Sequence, residues 1–170
     1  MKPNILILLA HPAFDEQSVA NKAMIDAVKP LENVKIMDVA KTPAAPANYY
    51  DAVKDADVVV MQFPIWWSSA PACMKEWIDV CMMPFTENPG VKGKKFMVAC
   101  TTGSPESAYR AGGYDHYTVD EMLRPYQMMA EYAGFTYLTP FALYGTAGDD
   151  AASNIKKGAE AYKKLLSGLE

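Results

Sequence analysis

The sequence predicts an α/β fold in three layers, in which a five-stranded parallel sheet of order 2-1-3-4-5 lies between two layers of helices. The main observation is that short apolar segments alternate along the chain with longer segments of helical periodicity. The strand segments are apolar at nearly every position, as expected for a parallel sheet that is covered on both faces. A length of 170 residues without a linker or a low-complexity segment indicates a single domain over residues 1–170.

Apolar runs and the residues that begin or end helices define each predicted element. The predicted strands span Asn4–Ala10, Val34–Val39, Asp57–Gln62, Lys94–Cys100 and Phe135–Leu143. The predicted helices span Ser18–Lys29, Asn48–Ala56, Ala70–Met83, Thr118–Ala133 and Asp149–Leu169. Asn48 is expected to cap the second helix, Pro84 to end the third and Gly134 to end the fourth.

Composition and charge exclude several classes of function. The net charge is −4 and no cluster of basic residues is present, so nucleic-acid binding is not expected. The three cysteines are odd in number and lack the spacing of metal ligands, which predicts free thiols in a reducing compartment and no metal site. No segment reaches the apolar length that crosses a membrane. These features predict a cytoplasmic protein.

The segment after strand 1 is the first candidate for a binding site, because open parallel sheets of this order bind ligands beyond the carboxyl ends of strands 1 and 3. This segment, His11–Asn21, lacks the GxGxxG pattern of a pyrophosphate loop. Ser18 is expected to cap the following helix, and the N–H groups of Val19 and Ala20 to bind a phosphate, with His11 as a further donor. The alternative is an ordinary helix start beside a loop histidine.

The segment after strand 3, Phe63–Pro71, places Trp66 and Trp67 side by side in a loop with two prolines. Adjacent side chains of an extended segment point in opposite directions, so one tryptophan is expected to pack inward and the other to cover a ligand. An aromatic wall of this kind suits a planar ring system. The alternative is a hydrophobic loop at a protein interface.

The segment after strand 4 begins with Thr101, Thr102 and Gly103, which predict a tight turn whose backbone approaches a ligand closely. The rest of the segment, through Tyr117, has no clear periodicity, and loops of this length in a compact domain are usually functional or mobile. It contains three tyrosines and His116, the second histidine of the chain. The alternative is an irregular exposed loop.

Motifs in these three segments occur together in the order expected of a known family. The first contains Leu9–Pro12 and Ser18–Asn21, and the second runs from Gln62 to Ala72 and continues with Lys75, Trp77, Ile78 and Asp79. The third contains Thr101–Ser104 and Tyr109, followed by Leu123–Pro125. The pattern Phe-Pro-x-x-Trp-x-x-x-Pro-Ala is the most specific part. The chain thereby resembles the flavodoxin-like NAD(P)H:quinone oxidoreductases, which include ancillary subunits of bacterial potassium efflux systems.

The resemblance implies a flavin-dependent enzyme that passes hydride from NAD(P)H to quinones or related electron-poor aromatics. The flavin-binding residues that it implies are His11, Ser18, Val19, Ala20, Pro64, Ile65, Trp66, Trp67, Thr101, Thr102, Gly103 and Ser104. Tyr109 and His116 would assist hydride transfer, with Tyr114 and Tyr117 as alternatives to His116. Family members that hold FAD have more sequence after the last helix, so the resemblance implies FMN rather than FAD, with NAD(P)H as co-substrate.

The resemblance also implies protein partners. It predicts a homodimer and, for the potassium efflux relatives, a transporter. The expected dimer surface lies on the helices after strands 3 and 4, with plain core packing as the alternative. The residues concerned are Trp77, Cys81, Met82, Met83, Tyr126, Met128 and Met129.

Three other functions share the predicted fold. A non-catalytic electron carrier of flavodoxin type would have a hydroxyl- and glycine-rich phosphate loop after strand 1, where this chain has His-Pro-Ala-Phe-Asp-Glu-Gln-Ser. A receiver-type signalling domain would have an acidic pair after strand 1 and an Asp at the end of strand 3, where this chain has Gln62. The third function is that of a regulatory flavoprotein subunit of a potassium efflux system with little turnover, and the sequence is compatible with it as an alternative to the enzyme.

Overall fold

The computed structural model describes residues 2–169, and within them a β-sheet lies between two layers of α-helices. The strands are β1 (Ile5–Leu9), β2 (Val34–Asp38), β3 (Val58–Pro64), β4 (Lys95–Thr101), β5 (Thr136–Tyr137) and β6 (Phe141–Leu143). The helices are α1 (Phe14–Gln17), α2 (Ala20–Val28), α3 (Pro46–Asp55), α4 (Ala72–Glu87), α5 (Val119–Ala133) and α6 (Ala151–Ser167).

The sheet is parallel and has the order β2-β1-β3-β4-β5, which confirms the predicted α/β fold with its flavodoxin-like strand order. The fifth position is filled by two segments, since β5 pairs with the start of β4 and β6 pairs with its end. The prediction of one continuous strand over Phe135–Leu143 is therefore wrong. Pro140, which has no N–H group to donate, lies in the interruption.

Apolar cores cover both faces of the sheet, which explains why its central strands are apolar throughout. Along β1, Ile5 and Ile7 belong to the core formed with α2 and α6. Leu6 and Leu8 belong to the core formed with α3, α4 and α5. Every residue of β1 and β3 is buried. The two helical layers thus leave the carboxyl edge of the sheet as the surface where loops meet.

The predicted boundaries are wrong at α3 and at α4. The second predicted helix, α3, begins at Pro46 rather than being capped by Asn48, because proline is favoured in the first turn of a helix. Pro84 does not end α4, which continues to Glu87. Phe85 beyond this proline is 1% exposed and packs against Trp77, with ring centroids 6.0 Å apart, so core packing outweighs the missing hydrogen bond.

The helix after β4 begins and ends as predicted. Thr118 is its N-cap and forms a capping box with Glu121, in which each side chain bonds to the backbone of the other residue. Gly134 ends the helix in the left-handed conformation, with φ of 95°. This helix, α5, carries residues that shape the loops at the carboxyl edge of the sheet.

A buried polar network ties α2 to the carboxyl ends of β3 and β4. The Asn21 amide nitrogen donates to the Thr101 hydroxyl at 3.0 Å. The Gln62 amide nitrogen donates to the side-chain and backbone oxygens of Asn21, both at 3.2 Å. All three residues are at most 4% exposed. Removing one partner would leave the others buried and unpaired, at a cost of about 1–3 kcal/mol for each polar group.

Candidate functional site

A first cavity of about 250 Å³ opens at the carboxyl ends of β1, β3 and β4, which is the edge that the strand order predicts. The segment after β1, the first turn of α2 and the loop after β6 complete its walls. Its lining residues are His11, Gln17, Ser18, Val19, Ala20, Asn21, Pro64, Trp66, Thr101 and Thr146. The structure thus brings together seven residues that the sequence predicted as ligand contacts: His11, Ser18, Val19, Ala20, Pro64, Trp66 and Thr101.

The hydroxyl group of Ser18 is buried at this cavity and has no hydrogen-bond partner within residues 2–169. The prediction that Ser18 caps α2 is wrong, since Val19 is the N-cap and the helix begins at Ala20. The hydroxyl group is therefore not used by the helix. The first N–H groups of α2 also lack partners inside the helix, and their dipole favours negative charge. Together these donors suit an anion such as a phosphate.

His11 borders the same cavity at the end of β1 and is only 6% exposed. Its Nδ1 accepts a hydrogen bond from the Ala13 N–H at 3.3 Å, so the neutral ring carries its proton on Nε2. Burial lowers the pKa of His11, and the nearby negative charge of Asp38 partly opposes that effect. Trp66 packs edge-on against the ring, with centroids 5.3 Å apart. His11 is therefore a neutral hydrogen-bond donor at neutral pH.

The double-tryptophan segment forms a tight turn between the first cavity and a second one. Trp66 and Ser69 exchange two backbone hydrogen bonds, of 2.9 and 3.1 Å. Trp67 and Ser68 between them have φ of 50° and 62°, a conformation that non-glycine residues adopt at a cost of about 1–2 kcal/mol each. The prediction that one tryptophan packs inward is wrong, because Trp66 is 44% exposed and Trp67 is fully exposed.

A tyrosine of α5 holds this strained turn in place. The Tyr126 hydroxyl accepts a hydrogen bond from the Ala70 N–H at 2.9 Å and lies 3.1 Å from the Ser69 hydroxyl. Its ring packs against Phe63 at the end of β3, with centroids 5.2 Å apart. Tyr126 is buried, so it fixes the turn from below and is not available to a partner protein.

The loop after β4 contributes through its backbone more than through its hydroxyl groups. Thr101 and Thr102 are buried, and the Thr102 hydroxyl donates to the Ser104 carbonyl at 3.0 Å. By contrast, the N–H groups of Gly103 and Ser104 have no hydrogen-bond partner in the described chain. Neither Gly103 nor Ser104 has a positive φ, so serine is accommodated without backbone strain. These two N–H groups are the ones that this loop offers to a ligand.

A second cavity of about 410 Å³ lies on the other side of the turn at Trp66–Ser69. Its lining residues are Ile65, Trp67, Ser68, Tyr109, Asp115, Tyr117, Glu121 and Met122. Tyr109 is half-buried and packs against Tyr144, with ring centroids 5.9 Å apart. The long loop that supplies Tyr109 folds back on itself, since the Asp115 N–H donates to the Ala108 carbonyl at 3.2 Å.

His116 is exposed and is not among the residues that line the second cavity. It has a φ of 64°, and its neighbours Asp115 and Tyr117 are the residues that border the cavity. The structure therefore places Tyr109 at the cavity but does not place His116 beside it. Tyr117, one of the alternatives to His116, does border the cavity, whereas Tyr114 does not.

The family model for proteins with a flavodoxin-like fold matches residues 3–166 of this chain. The chain belongs to this family. It is 33% identical to the glutathione-regulated potassium-efflux system ancillary protein KefG of Yersinia enterocolitica, over 96% of this chain and 92% of KefG.

Two solved structures share the fold over nearly their whole length. General stress protein 14 of Treponema denticola, in complex with FMN, has a TM-score of 0.86 and 29% identity, covering 99% of this chain and 100% of that one. An NADPH-quinone reductase of P. pentosaceus has a TM-score of 0.84 and 25% identity, covering 100% of both chains. The structures similar to this chain thus include a protein in complex with FMN and a quinone reductase.

Several residues that build the site were given no role by the sequence analysis. Two of them, Asn21 and Gln62, form the buried polar network at the sheet edge. Gln62 is a polar residue in an otherwise apolar strand, and this pattern could have indicated the network. Thr146, whose hydroxyl donates to the Thr102 carbonyl at 3.0 Å, comes from a segment distant in sequence. Asp115 reaches the second cavity through the path of the long loop, which periodicity does not predict, and Glu121 reaches it from the first turn of α5.

We predict that His11 titrates below its usual pKa of 6.5 when the first cavity contains no anion. Since burial lowers the pKa of His11 in the folded state, the unfolded chain binds more protons than the folded chain just below pH 6.5. The free energy of unfolding should therefore decrease as the pH falls through that value. A proton NMR titration of the imidazole signals measures the pKa. The chain has two histidines, so a His116→Asn variant assigns the signal. A His11 pKa at or above the usual value would contradict the prediction.

Proposed function

We propose that the protein binds FMN and transfers two electrons from NAD(P)H to quinones or related electron-poor aromatic compounds. The observation that supports this most directly is the pairing of two cavities across the turn at Trp66–Ser69. The first cavity offers unpartnered donors for an anion, and the second has aromatic walls. A ligand with a phosphate at one end and a planar ring system at the other suits this arrangement, and the related protein of Treponema denticola is in complex with FMN.

The first cavity fits the phosphate end of FMN. The buried hydroxyl of Ser18 lacks a partner within residues 2–169, and a phosphate oxygen would supply the missing acceptor. The N–H groups at the start of α2, near Val19 and Ala20, add donors that favour a negative charge. Since His11 carries its proton on Nε2, it can donate a further hydrogen bond.

The turn and the loop after β4 fit the ring end. Pro64 and Ile65 lead into the turn, and Trp66 and Trp67 present aromatic surface on its two sides. The N–H groups of Gly103 and Ser104 are free to donate to the carbonyl oxygens and nitrogens of a flavin ring. The remaining predicted contacts, Thr101 and Thr102, hold the loop in shape.

When bound, FMN supplies the redox step, because a flavin accepts two electrons from NAD(P)H and returns them to a second substrate. In the overall reaction, NAD(P)H, a proton and a quinone give NAD(P)⁺ and a hydroquinone. The substrate ring would share the second cavity with the flavin ring, on the side bordered by Trp67 and Tyr109. We assign to Tyr109 the role of hydrogen-bond donor to the substrate. A role of His116 in hydride transfer would require movement of its loop, because the side chain is exposed and does not line the second cavity.

The phosphate assignment predicts that FMN binds more tightly than riboflavin, which has the same ring and no phosphate. A Ser18→Ala variant loses a hydrogen bond to a charged group, which is worth about 1.5–3 kcal/mol, so its dissociation constant for FMN should rise about 10- to 150-fold. Quenching of flavin fluorescence on titration measures both constants.

The riboflavin constant of the Ser18→Ala variant should stay close to that of the unmodified protein. Ser153→Ala, an exposed change on α6, is the matched control and should bind FMN normally. Equal affinity for FMN and riboflavin would refute the placement of the phosphate, and binding of neither compound would refute the proposed function.

We also propose that the protein is a homodimer that associates through α4 and α5. Val80 and Met83 of α4 and Met128 and Tyr132 of α5 are exposed apolar side chains on neighbouring helices. Exposed apolar groups of this kind mark protein interfaces when they form one patch. The predicted surface is wrong for the buried residues Trp77, Cys81, Met82 and Tyr126, which belong to the core, and Met129 packs against that core.

A Met83→Glu variant tests the dimer, because it places a charge in the proposed interface. We expect light scattering to give the mass of two chains for the unmodified protein and of one chain for the variant. Leu165→Glu, on α6 in the opposite layer, introduces the same charge at another exposed apolar position and should stay dimeric. A monomeric unmodified protein, or equal masses for both variants, would contradict the proposal.

A second candidate function is that of a flavoprotein subunit of a potassium efflux system, supported by the similarity to KefG over nearly the whole of both chains. Co-purification with a potassium efflux transporter, together with turnover too slow for an enzyme, would favour it.

We further propose a cytoplasmic location, since NAD(P)H is the donor and Cys73, Cys81 and Cys100 are free thiols. Within residues 2–169, no helix has the length and apolar character to cross a membrane.

A further inference from the structure

The second cavity combines aromatic walls with two carboxyl side chains, and this combination bears on the charge of its ligands. Trp67, Tyr109 and Tyr117 supply the aromatic surface, while Asp115 and Glu121 supply the carboxyl groups. No lysine, arginine or histidine is among the residues that line it. Aromatic faces attract cations through the negative potential of their π systems, and carboxylates attract them directly.

The carboxyl group of Glu121 is held in place and charged. Its Oε2 accepts hydrogen bonds from the Thr118 N–H at 2.8 Å and from the Thr118 hydroxyl at 2.9 Å. These bonds to the backbone and hydroxyl of Thr118 lower the pKa of Glu121, so it stays ionised at neutral pH. The Arg124 guanidinium, one turn further along α5, donates its hydrogen bond to Gln127 at 2.8 Å, and its positive charge makes a smaller contribution to the lowered pKa of Glu121.

The carboxyl group of Asp115 has an oxygen that is not used inside the protein. Its Oδ2 is buried and has no hydrogen-bond partner in the described part of the chain. The backbone around it is fixed, since the Asp115 N–H donates to the Ala108 carbonyl and its own carbonyl accepts from the Tyr117 N–H at 2.7 Å. An unpartnered acceptor that borders a cavity is satisfied by a ligand that brings positive charge or an N–H group.

We propose that the second cavity selects aromatic substrates that carry a positive charge over those that carry a negative charge. This inference rests on the proposed function, because it names the class of electron acceptor that the same cavity takes. Trp67 and the two tyrosines contact the ring, and Asp115 and Glu121 attract its cationic substituent. An anionic substituent, such as a sulfonate or a carboxylate, meets two carboxyl side chains and no basic side chain in the lining.

An equilibrium measurement tests the selectivity without requiring turnover. The probes are naphthylmethyl-trimethylammonium and naphthylmethanesulfonate, which share a ring, differ in charge and are not electron acceptors. Calorimetry on the protein, as purified and after saturation with FMN, should show that the cation binds at least about tenfold more tightly at low ionic strength. Salt should narrow the difference, because added ions screen charges at exposed sites.

Variants assign the effect to the two side chains. Asp115→Asn and Glu121→Gln should each reduce the preference for the cation about three- to fivefold, the size expected for a partly exposed ion pair. Glutamine also serves in a capping box, so Glu121→Gln retains the start of α5. Glu160→Gln, an exposed change on α6, removes the same charge elsewhere and should leave the preference unchanged.

A kinetic measurement extends the test to substrates. Naphthoquinones with a trimethylammonium, a neutral or a sulfonate group on the same alkyl spacer should follow that order in kcat/KM, and the Glu160→Gln control should leave the order unchanged. Reduction of none of the three would refute the proposed function, whereas the binding preference would still decide the selectivity. Equal binding of the two naphthyl probes, or a preference that survives in the Asp115→Asn/Glu121→Gln double variant, would overturn the inference.

Discussion

The buried hydrogen bonds of Asn21 are the constraint on which the geometry of the site depends. They join the first turn of α2 to Gln62, two residues before the end of β3, and to Thr101 at the end of β4. Apolar packing has no preferred direction, whereas hydrogen bonds of buried groups fix distance and orientation. Because Ser18 lies two residues before the start of α2, this network also sets where the anion-binding groups stand relative to the loops that follow β3 and β4.

The same sheet edge holds features that do not stabilise the fold. The turn at Trp66–Ser69 contains two non-glycine residues with positive φ, the hydroxyl of Ser18 is buried without a partner, and Trp67 is fully exposed. Each is unfavourable for an isolated domain, and such costs are retained where a ligand or a partner offsets them. Apolar cores cover both faces of the sheet, and Tyr126 keeps the turn in its strained form.

Sequence reasoning located the sheet edge and most of the first cavity because both follow from local patterns. A parallel strand order fixes which loops meet, and His11, Ser18 and Trp66 lie in those loops. It failed where a distant contact overrides a local preference. Helix α4 continues past Pro84 because Phe85 packs in the core, and two short strands, β5 and β6, pair with β4 where one strand was predicted. Which residues of the long loop reach the second cavity depends on hydrogen bonds such as that between Asp115 and Ala108, which no periodicity reveals.

We propose that these two cavities together hold a flavin that NAD(P)H reduces. The most direct test mixes the FMN-saturated protein with NADH or NADPH in the absence of oxygen and follows the visible absorbance of oxidised flavin. We expect the absorbance to be lost with at least one nucleotide and to return fully when a quinone is added. An absorbance that persists with both nucleotides, in protein that has bound FMN, would contradict the proposal.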